Sequence, residues 1–193
     1  MIKKLLKKTI LVGALLGTPL MAGWSESDTN NYSLVGFEAG YGNFEVVNDA
    51  TPAYDKTHGL AQAGFKVGAQ SDEYRIFLSA RYYNSSDFDY ISTFGIEAQY
   101  LFGINDKLNA YIGLNTGVAN AKFIDSANIT RTISDSYIGG DAGINFLINK
   151  TLDLELGARI MGLQATNSRS NVTYTFDNII SVYGSVIFKF NID

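Results

Sequence analysis

An all-β chain, an eight-stranded antiparallel up-and-down transmembrane β-barrel, is what this sequence predicts, and three observations carry the prediction. Eight segments between Val35 and Phe190 set apolar residues against glycine, charge or amide at period two. The connections between them alternate between long polar stretches and short turns. Beyond the first 22 residues no apolar run approaches the ~20 residues of a spanning helix, so a membrane is crossed here by strands or not at all.

The first strand sets Val35, Phe37, Ala39 and Tyr41 against Gly36, Glu38, Gly40 and Gly42, and the second sets Ala61, Ala63, Phe65 and Val67 against Gln62, Gly64, Lys66 and Gly68. In the third, Tyr74, Ile76, Leu78, Ala80 and Tyr82 oppose Arg75, Phe77, Ser79 and Arg81; in the fourth, Phe94, Ile96, Ala98, Tyr100 and Phe102 oppose Thr93, Gly95, Glu97 and Gln99. The fifth alternates Leu108, Ala110, Ile112, Leu114 and Val118 with Asn109, Tyr111, Gly113, Asn115 and Gly117, and the sixth Ile138, Ala142, Ile144 and Phe146 with Gly139, Asp141, Gly143 and Asn145. The seventh sets Leu154, Leu156, Ala158 and Ile160 against Asp153, Glu155, Gly157 and Arg159. The eighth sets Ile180, Val182, Val186, Phe188 and Phe190 against Ser181, Tyr183, Ser185 and Lys189. Each is near the 9–11 residues of a tilted membrane strand, and an even number of antiparallel strands closes without a free edge.

Long polar stretches follow strands one, five and seven, at Val46 to His58, Ala119 to Ser136 and Gln164 to Asp177. Short turns follow strands two, four and six, on Ser71-Asp72-Glu73, Asn105-Asp106-Lys107 and Asn149-Lys150, and the Asn84 to Asp89 connection is the shortest of the other set. Brief periplasmic turns and longer external loops are the asymmetry of outer-membrane barrels, so both termini are expected in the periplasm. On the apolar face Tyr74, Tyr100, Phe102, Phe146, Phe188 and Phe190 sit at the turn ends and Tyr41, Tyr82 and Tyr90 at the opposite ends, the pattern of two interfacial aromatic girdles.

Ahead of the strands, Lys3, Lys4, Lys7 and Lys8 precede an apolar run from Ile10 to Met21 and a small residue at Ala22. This reads as a secretory signal peptide over residues 1–22, followed by a short periplasmic lead over 23–31 and a barrel domain over 32–193. One domain accounts for the 193 residues. The stated net charge of −4 becomes −8 once the four leader lysines are gone, with 11 basic residues left against 19 acidic, a balance that disfavours nucleic-acid binding. With no cysteine, disulfides, thiolate metal sites and cysteine nucleophiles are excluded.

Of the 19 glycines, eleven share the face opposite the lipid: Gly36, Gly40, Gly42, Gly64, Gly68, Gly95, Gly113, Gly117, Gly139, Gly143 and Gly157. An eight-stranded barrel is just wide enough to be filled by side chains, so small residues must make room for long ones. The long ones include Glu38, Lys66, Arg75, Arg81, Glu97, Asp141, Glu155 and Arg159, four acids and four bases, which points to a salt-bridge network in the lumen. Such a network serves either as a plug or as the gate of a narrow, low-conductance pore, and the barrel's width favours the plug.

Leader, eight alternating strands, glycine-rich charged lumen and aromatic last strand together resemble the OmpA/OmpX-type small outer-membrane β-barrels of the porin-family group, over almost the whole mature chain. The resemblance implies residence in a Gram-negative outer membrane among outer-membrane lipids and lipopolysaccharide, insertion by the barrel assembly machinery, and a monomer. The chain departs from the usual assembly signal, continuing past Phe190 with Asn191-Ile192-Asp193 and placing Gly184 on the parity of Phe188 and Phe190. No room for a peptidoglycan-binding domain is expected after Phe190.

Some barrels of this size modify lipid A with a histidine and a serine near the outer leaflet. Here His58 falls at the end of a long loop, and although Ser79, Ser85 and Ser86 are candidates to approach it, no paired motif is present, so no enzyme is expected. Asp87 with Asp89, and Asp49 with Asp55, read as solvated pairs, and neither metal nor other cofactor is expected. The loops carry Tyr54, Phe88, Ile124, Ile129, Ile133, Tyr174 and Phe176 among hydroxyls and amides, a surface suited to an extracellular protein or glycan ligand. A soluble lipocalin-like barrel, with the apolar face inward, is the competing architecture.

Overall fold

The computed structural model describes residues 31–48, 54–85, 88–124, 130–169 and 172–191. The leader and nearly all of the lead lie outside them; Asn31, assigned above to the lead, opens the first strand. The described residues form eight strands: β1 (Asn31–Asn48), β2 (Tyr54–Ser71), β3 (Tyr74–Ser85), β4 (Phe88–Asn105), β5 (Leu108–Ile124), β6 (Thr130–Asn149), β7 (Leu152–Arg169) and β8 (Val172–Asn191). Each pairs antiparallel with its sequence neighbours, and β1 closes on β8 from Tyr32↔Asn191 to Asn48↔Tyr174 at the far rim, giving a closed barrel in strand order.

Three tight turns join the strands at one end. In two of them an asparagine folds the chain through its own side chain: Asn105 Oδ1 accepts from the Lys107 amide at 2.9 Å, and Asn149 Oδ1 accepts from the Thr151 amide at 2.8 Å. In the third, Asp72 takes the left-handed conformation at φ 49°, which aspartate tolerates better than most residues.

At the other end the barrel stands taller than the sequence suggests. The stretches expected as long loops are strand for most of their length, with pairing carried up to Asn48↔Tyr54, Ile124↔Thr130 and Arg169↔Val172. Only β3–β4 stops low, at Ser85↔Phe88, so Tyr54–Leu60 of β2 pairs with β1 alone. The chain is polar there because the outer side of these strands no longer faces lipid. Outward residues at this level are Asn43, Thr57, Ser92, Asn120, Ser134 and Asn178, whereas Phe44, Leu60, Ile91, Ile133, Leu163 and Ile179 point inward and are buried.

The polarity of the alternation thus reverses part-way up the wall, and adjacent apolar residues mark where. One member of each pair is buried inside and the next stands on the outer surface: Leu60 and Ala61, Tyr83 and Tyr82, Ala119 and Val118, Tyr137 and Ile138, Met161 and Ile160, Ile179 and Ile180. Cross-strand register links them, with Met161↔Ile179 inside and Ile160↔Ile180 outside. Below the reversal the outward face is an apolar band, for example Ile138 to Ile148, Phe94 to Ile104 and Ile180 to Phe190, each the 9–11 residues that cross a bilayer at a tilt. Above it the wall is built like a water-soluble barrel, apolar within and polar without. Register shifts between Phe44 and Val46 and between Gly162 and Ala165 fall just above the reversal, where bulges bend and twist the strands.

Candidate functional site in the barrel interior

All eight charged residues expected in the lumen are inside and buried: Glu38, Lys66, Arg75, Arg81, Glu97, Asp141, Glu155 and Arg159. Asp153 and Lys189 join them, giving five carboxylates and five cations. Both share the inward parity of their strands, which is the sequence signal that places them there.

The charges form two groups and one isolated member. Nearest mid-barrel, Glu38 and Glu97 alternate with Arg81 and Arg159 in a closed quartet drawn from β1, β4, β3 and β7. Arg81 Nε donates to Glu38 at 2.6 Å, Arg159 donates to Glu38 through both terminal nitrogens at 2.9 and 3.3 Å, Arg159 reaches Glu97 at 3.5 Å, and Arg81 also pairs with Glu97. Each arginine serves two carboxylates, as a five-donor planar group allows. The Tyr183 ring lies under the Arg159 guanidinium, 4.1 Å from its centre.

Toward the tight-turn end, Lys66 pairs with Glu155 at 2.7 Å, Arg75 with Asp153 at 2.6 Å and with Glu155 at 3.7 Å, and Lys189 with Asp153 at 2.7 Å. Asn145 is wedged among them, accepting from Arg75 at 3.1 Å and donating to Asp153 at 3.2 Å. Three cations face two carboxylates in this group. Asp141 carries the balancing negative charge and has no ion pair among the described residues. It accepts instead from neutral groups: Gln99 at 2.8 Å, Tyr183 at 3.2 Å and Asn115 at 3.4 Å. The Tyr183 and Tyr111 hydroxyls are themselves 2.8 Å apart.

Glycine makes this packing fit. A methyl at Gly64 would lie 2.7 Å from Glu38 Cγ and 3.0 Å from Arg81 Cγ, one at Gly36 2.8 Å from Lys66 Cγ, and one at Gly113 2.8 Å from Asp141 Oδ1. In a narrow tube, each long charged side chain takes the volume that a neighbouring strand gives up.

An apolar core covers the charges at the tall end, and a smaller apolar cluster is interleaved with the lower charges, where Arg75 and Lys189 lie nearer the turn end than Phe77 and Ile187 on the same strands. Toward the tall end Phe44, Leu60, Tyr83, Ile91, Ala119, Ala121, Ile133, Tyr137, Met161, Leu163 and Ile179 form one continuous core, each at most 7% exposed. Toward the turns Leu34, Phe77 and Ile187 form a smaller one, with Tyr32 against it. The lumen is therefore charged from mid-barrel to the turn end and mainly apolar toward the tall end, a core that the expected strands, ending lower, do not include. Two further expectations change with it. His58 is in β2, not in a loop, and its side chain is buried inside. Ile133 belongs to the apolar core, not to an exposed loop surface; the side chains of Tyr54, Phe88, Ile124, Ile129, Tyr174 and Phe176 lie outside the described set.

On the outer face Tyr41, Tyr74, Tyr82, Phe102, Phe146, Phe188 and Phe190 are exposed large side chains, and Tyr90 and Tyr100 are half-buried. Tyr74, Tyr100 and Phe102 stack edge-on at the tight-turn end, with centroids 5.0 and 4.6 Å apart.

No protein-family model matches the chain, and no curated protein does. Among solved structures it is similar to Neisserial surface protein A, with TM-score 0.55 and 14% identity over 81% of this chain and 96% of that one. The N-terminal β-barrel domain of Pseudomonas aeruginosa OprF matches with TM-score 0.53 and 18% identity, over 81% and 97%. Pseudomonas aeruginosa OprG matches with TM-score 0.52 and 12% identity, over 84% and 97%. At these identities the likeness is one of architecture, and the chain has the fold of the small eight-stranded outer-membrane β-barrels.

Proposed function

We propose that this chain is an exported, non-enzymatic outer-membrane barrel whose plugged lumen serves no transport and whose tall end stands outside the cell as a recognition surface. One observation carries the reading: a fully paired charge quartet lies between two apolar clusters, each made of side chains with almost no exposure. A water path would have to break both the ion pairs and the apolar packing. The leader at residues 1–22 supports export, and short turns at one end against tall hairpins at the other support periplasmic turns and termini.

Burial of the single histidine inside the barrel supports the absence of catalysis, since a lipid-modifying base belongs on the outer surface. Insertion falls to the barrel assembly machinery, outer-membrane lipids and lipopolysaccharide surround a monomer, and the partner of the tall end is a protein or glycan. Planar-bilayer recording of the refolded chain tests the plug. The reading expects no discrete conductance steps; steps of porin size would overturn it.

A further inference from the structure

Above the polarity reversal the wall forms a collar, and the collar is not a complete ring. Ala61↔Asn84 is the highest pair of β2 with β3, and Ser85↔Phe88 the highest of β3 with β4, so β2 rises seven residues, Tyr54–Leu60, above the strand beside it. Across the gap, β5 rises by Phe123 and Ile124 past Tyr90↔Lys122, its highest pair with β4. Two strands are missing between β2 and β5 at this level, which leaves three strand spacings, about 14 Å.

Along this gap β2 presents an edge roughly 23 Å long. Its pairing with β1 runs to the tip at Asn48↔Tyr54 without a register shift, so the edge carries no bulge, and Tyr54–Leu60 contains no proline. The two charges in it, Asp55 and Lys56, cancel. Bulges and prolines ordinarily blunt a long edge, because every second residue of a strand turns an N–H and a C=O to its open side.

The chain cannot fill this edge itself. Residues 86–87, between β3 and β4, are too few to line seven, and residues 125–129 leave and re-enter at β5 and β6, on the far side of the gap. Residues 49–53 lead directly from β1 into Tyr54. A second copy is excluded as well: its β2 continues down into its own membrane wall, which would have to occupy the place of this chain's β3.

We infer that the edge binds an extended segment of a separate protein, which adds as a strand beside Tyr54–Leu60 through main-chain hydrogen bonds. Recognition of this kind takes its affinity from the backbone and its selectivity from alternate side chains. Thr57 and Gly59 stand on the outer face of β2 and Leu60 is buried inside, so a segment in register presents small or polar residues outward and apolar ones inward. A glycan offers no such ladder. The inference narrows the protein-or-glycan reading of the tall end to a protein, and access to the edge from outside the cell rests on the orientation proposed there.

A synthetic peptide with β1's own sequence from Asn43 to Asn48 is the probe, since β1 already satisfies the opposite edge of β2. In the refolded barrel in nanodiscs, every second amide of Tyr54–Leu60 should exchange hydrogen fast, and saturating peptide should slow that set by roughly tenfold or more. Two versions of the peptide, N-methylated on alternate residues, separate strand pairing from apolar contact. One should bind roughly tenfold more weakly, the weight of two net hydrogen bonds, and the other as before. Equal weakening by both methylation sets, or edge amides that are uniformly slow before peptide is added, overturns the inference. Lengthening the β3–β4 hairpin by seven residues on each strand fills the gap from within and should abolish binding; undiminished binding by that variant, once heat-dependent gel mobility shows it folded, overturns the inference too. Membrane-impermeant labelling of Ser134→Cys in intact cells tests the orientation separately: labelling supports it, and protection contradicts it without touching the peptide result.

Discussion

Glu38 on β1 and Arg159 on β7 stand 121 positions apart in sequence, yet both terminal nitrogens of Arg159 reach the Glu38 carboxylate, at 2.9 and 3.3 Å. The contact spans the lumen, not neighbouring strands, because β8 lies between β7 and β1. Closure of the barrel and pairing of this charge are therefore one event: Arg159 reaches Glu38 only once β8 is paired with both β7 and β1.

Breaking that contact should be expensive. Glu38→Gln leaves Arg81 and Arg159 sharing one remaining carboxylate, Glu97, and an under-compensated buried charge costs about 3–5 kcal/mol. Urea unfolding in lipid vesicles measures it. Lys122→Gln breaks a half-exposed pair with Asp89 and should cost under ~1 kcal/mol.

Arg159→Ala separates a plug from a gate. The apolar clusters on either side do not involve Arg159, so the variant should unfold at lower urea yet still show no conductance steps. Steps appearing in that single variant would assign the barrier to the ion pairs.

The collar should be separable from the membrane section. Met161→Ala removes a fully buried side chain from the upper core and should cost about 2–5 kcal/mol, with faster hydrogen exchange confined to the amides above the reversal. Its neighbour Ile160 is 48% exposed on the outer face, where lipid takes up the vacated space, so Ile160→Ala should cost far less.

Glycines on the two faces should behave oppositely. Gly64→Val drives a branched side chain into Glu38 and Arg81 and should prevent folding into the heat-resistant barrel. Gly184→Val faces outward, where an added Cβ meets only Leu156 Cδ2 at 3.3 Å and the Glu155 carbonyl at 3.8 Å, and should be tolerated.

Strand number, order and the inward charges are legible in the sequence because within a bilayer the outside is uniformly apolar, and period-two alternation then has one meaning. The same alternation above the membrane means the reverse. Stretches such as Ala119 to Ser136 look like loops because their outward residues are polar, while their inward ones, Ala121 and Ile133, are too sparse to read as a core without their partners on other strands. The signal that reveals them is the apolar doublet, Tyr137-Ile138 or Ile160-Met161, where apolar character passes from one parity to the other. Which carboxylate meets which arginine was not legible, since three of the quartet's four contacts join strands that are not neighbours; Asp141 and Arg159 are directly opposed in register, yet Arg159 pairs elsewhere.

Polarity reversal along one strand is the central claim, and the chain contains no cysteine, so single-cysteine spin labels test it directly. On β6, Ser134 and Ala142 both point outward, on opposite sides of the reversal, and Ile133 points into the upper core. Labels in the vesicle-bound barrel should collide with a water-soluble nickel reagent at Ser134→Cys, with membrane-dissolved oxygen at Ala142→Cys, and with neither to a comparable degree at Ile133→Cys. Preferential collision with oxygen at Ser134→Cys, or with the nickel reagent at Ile133→Cys, would contradict it.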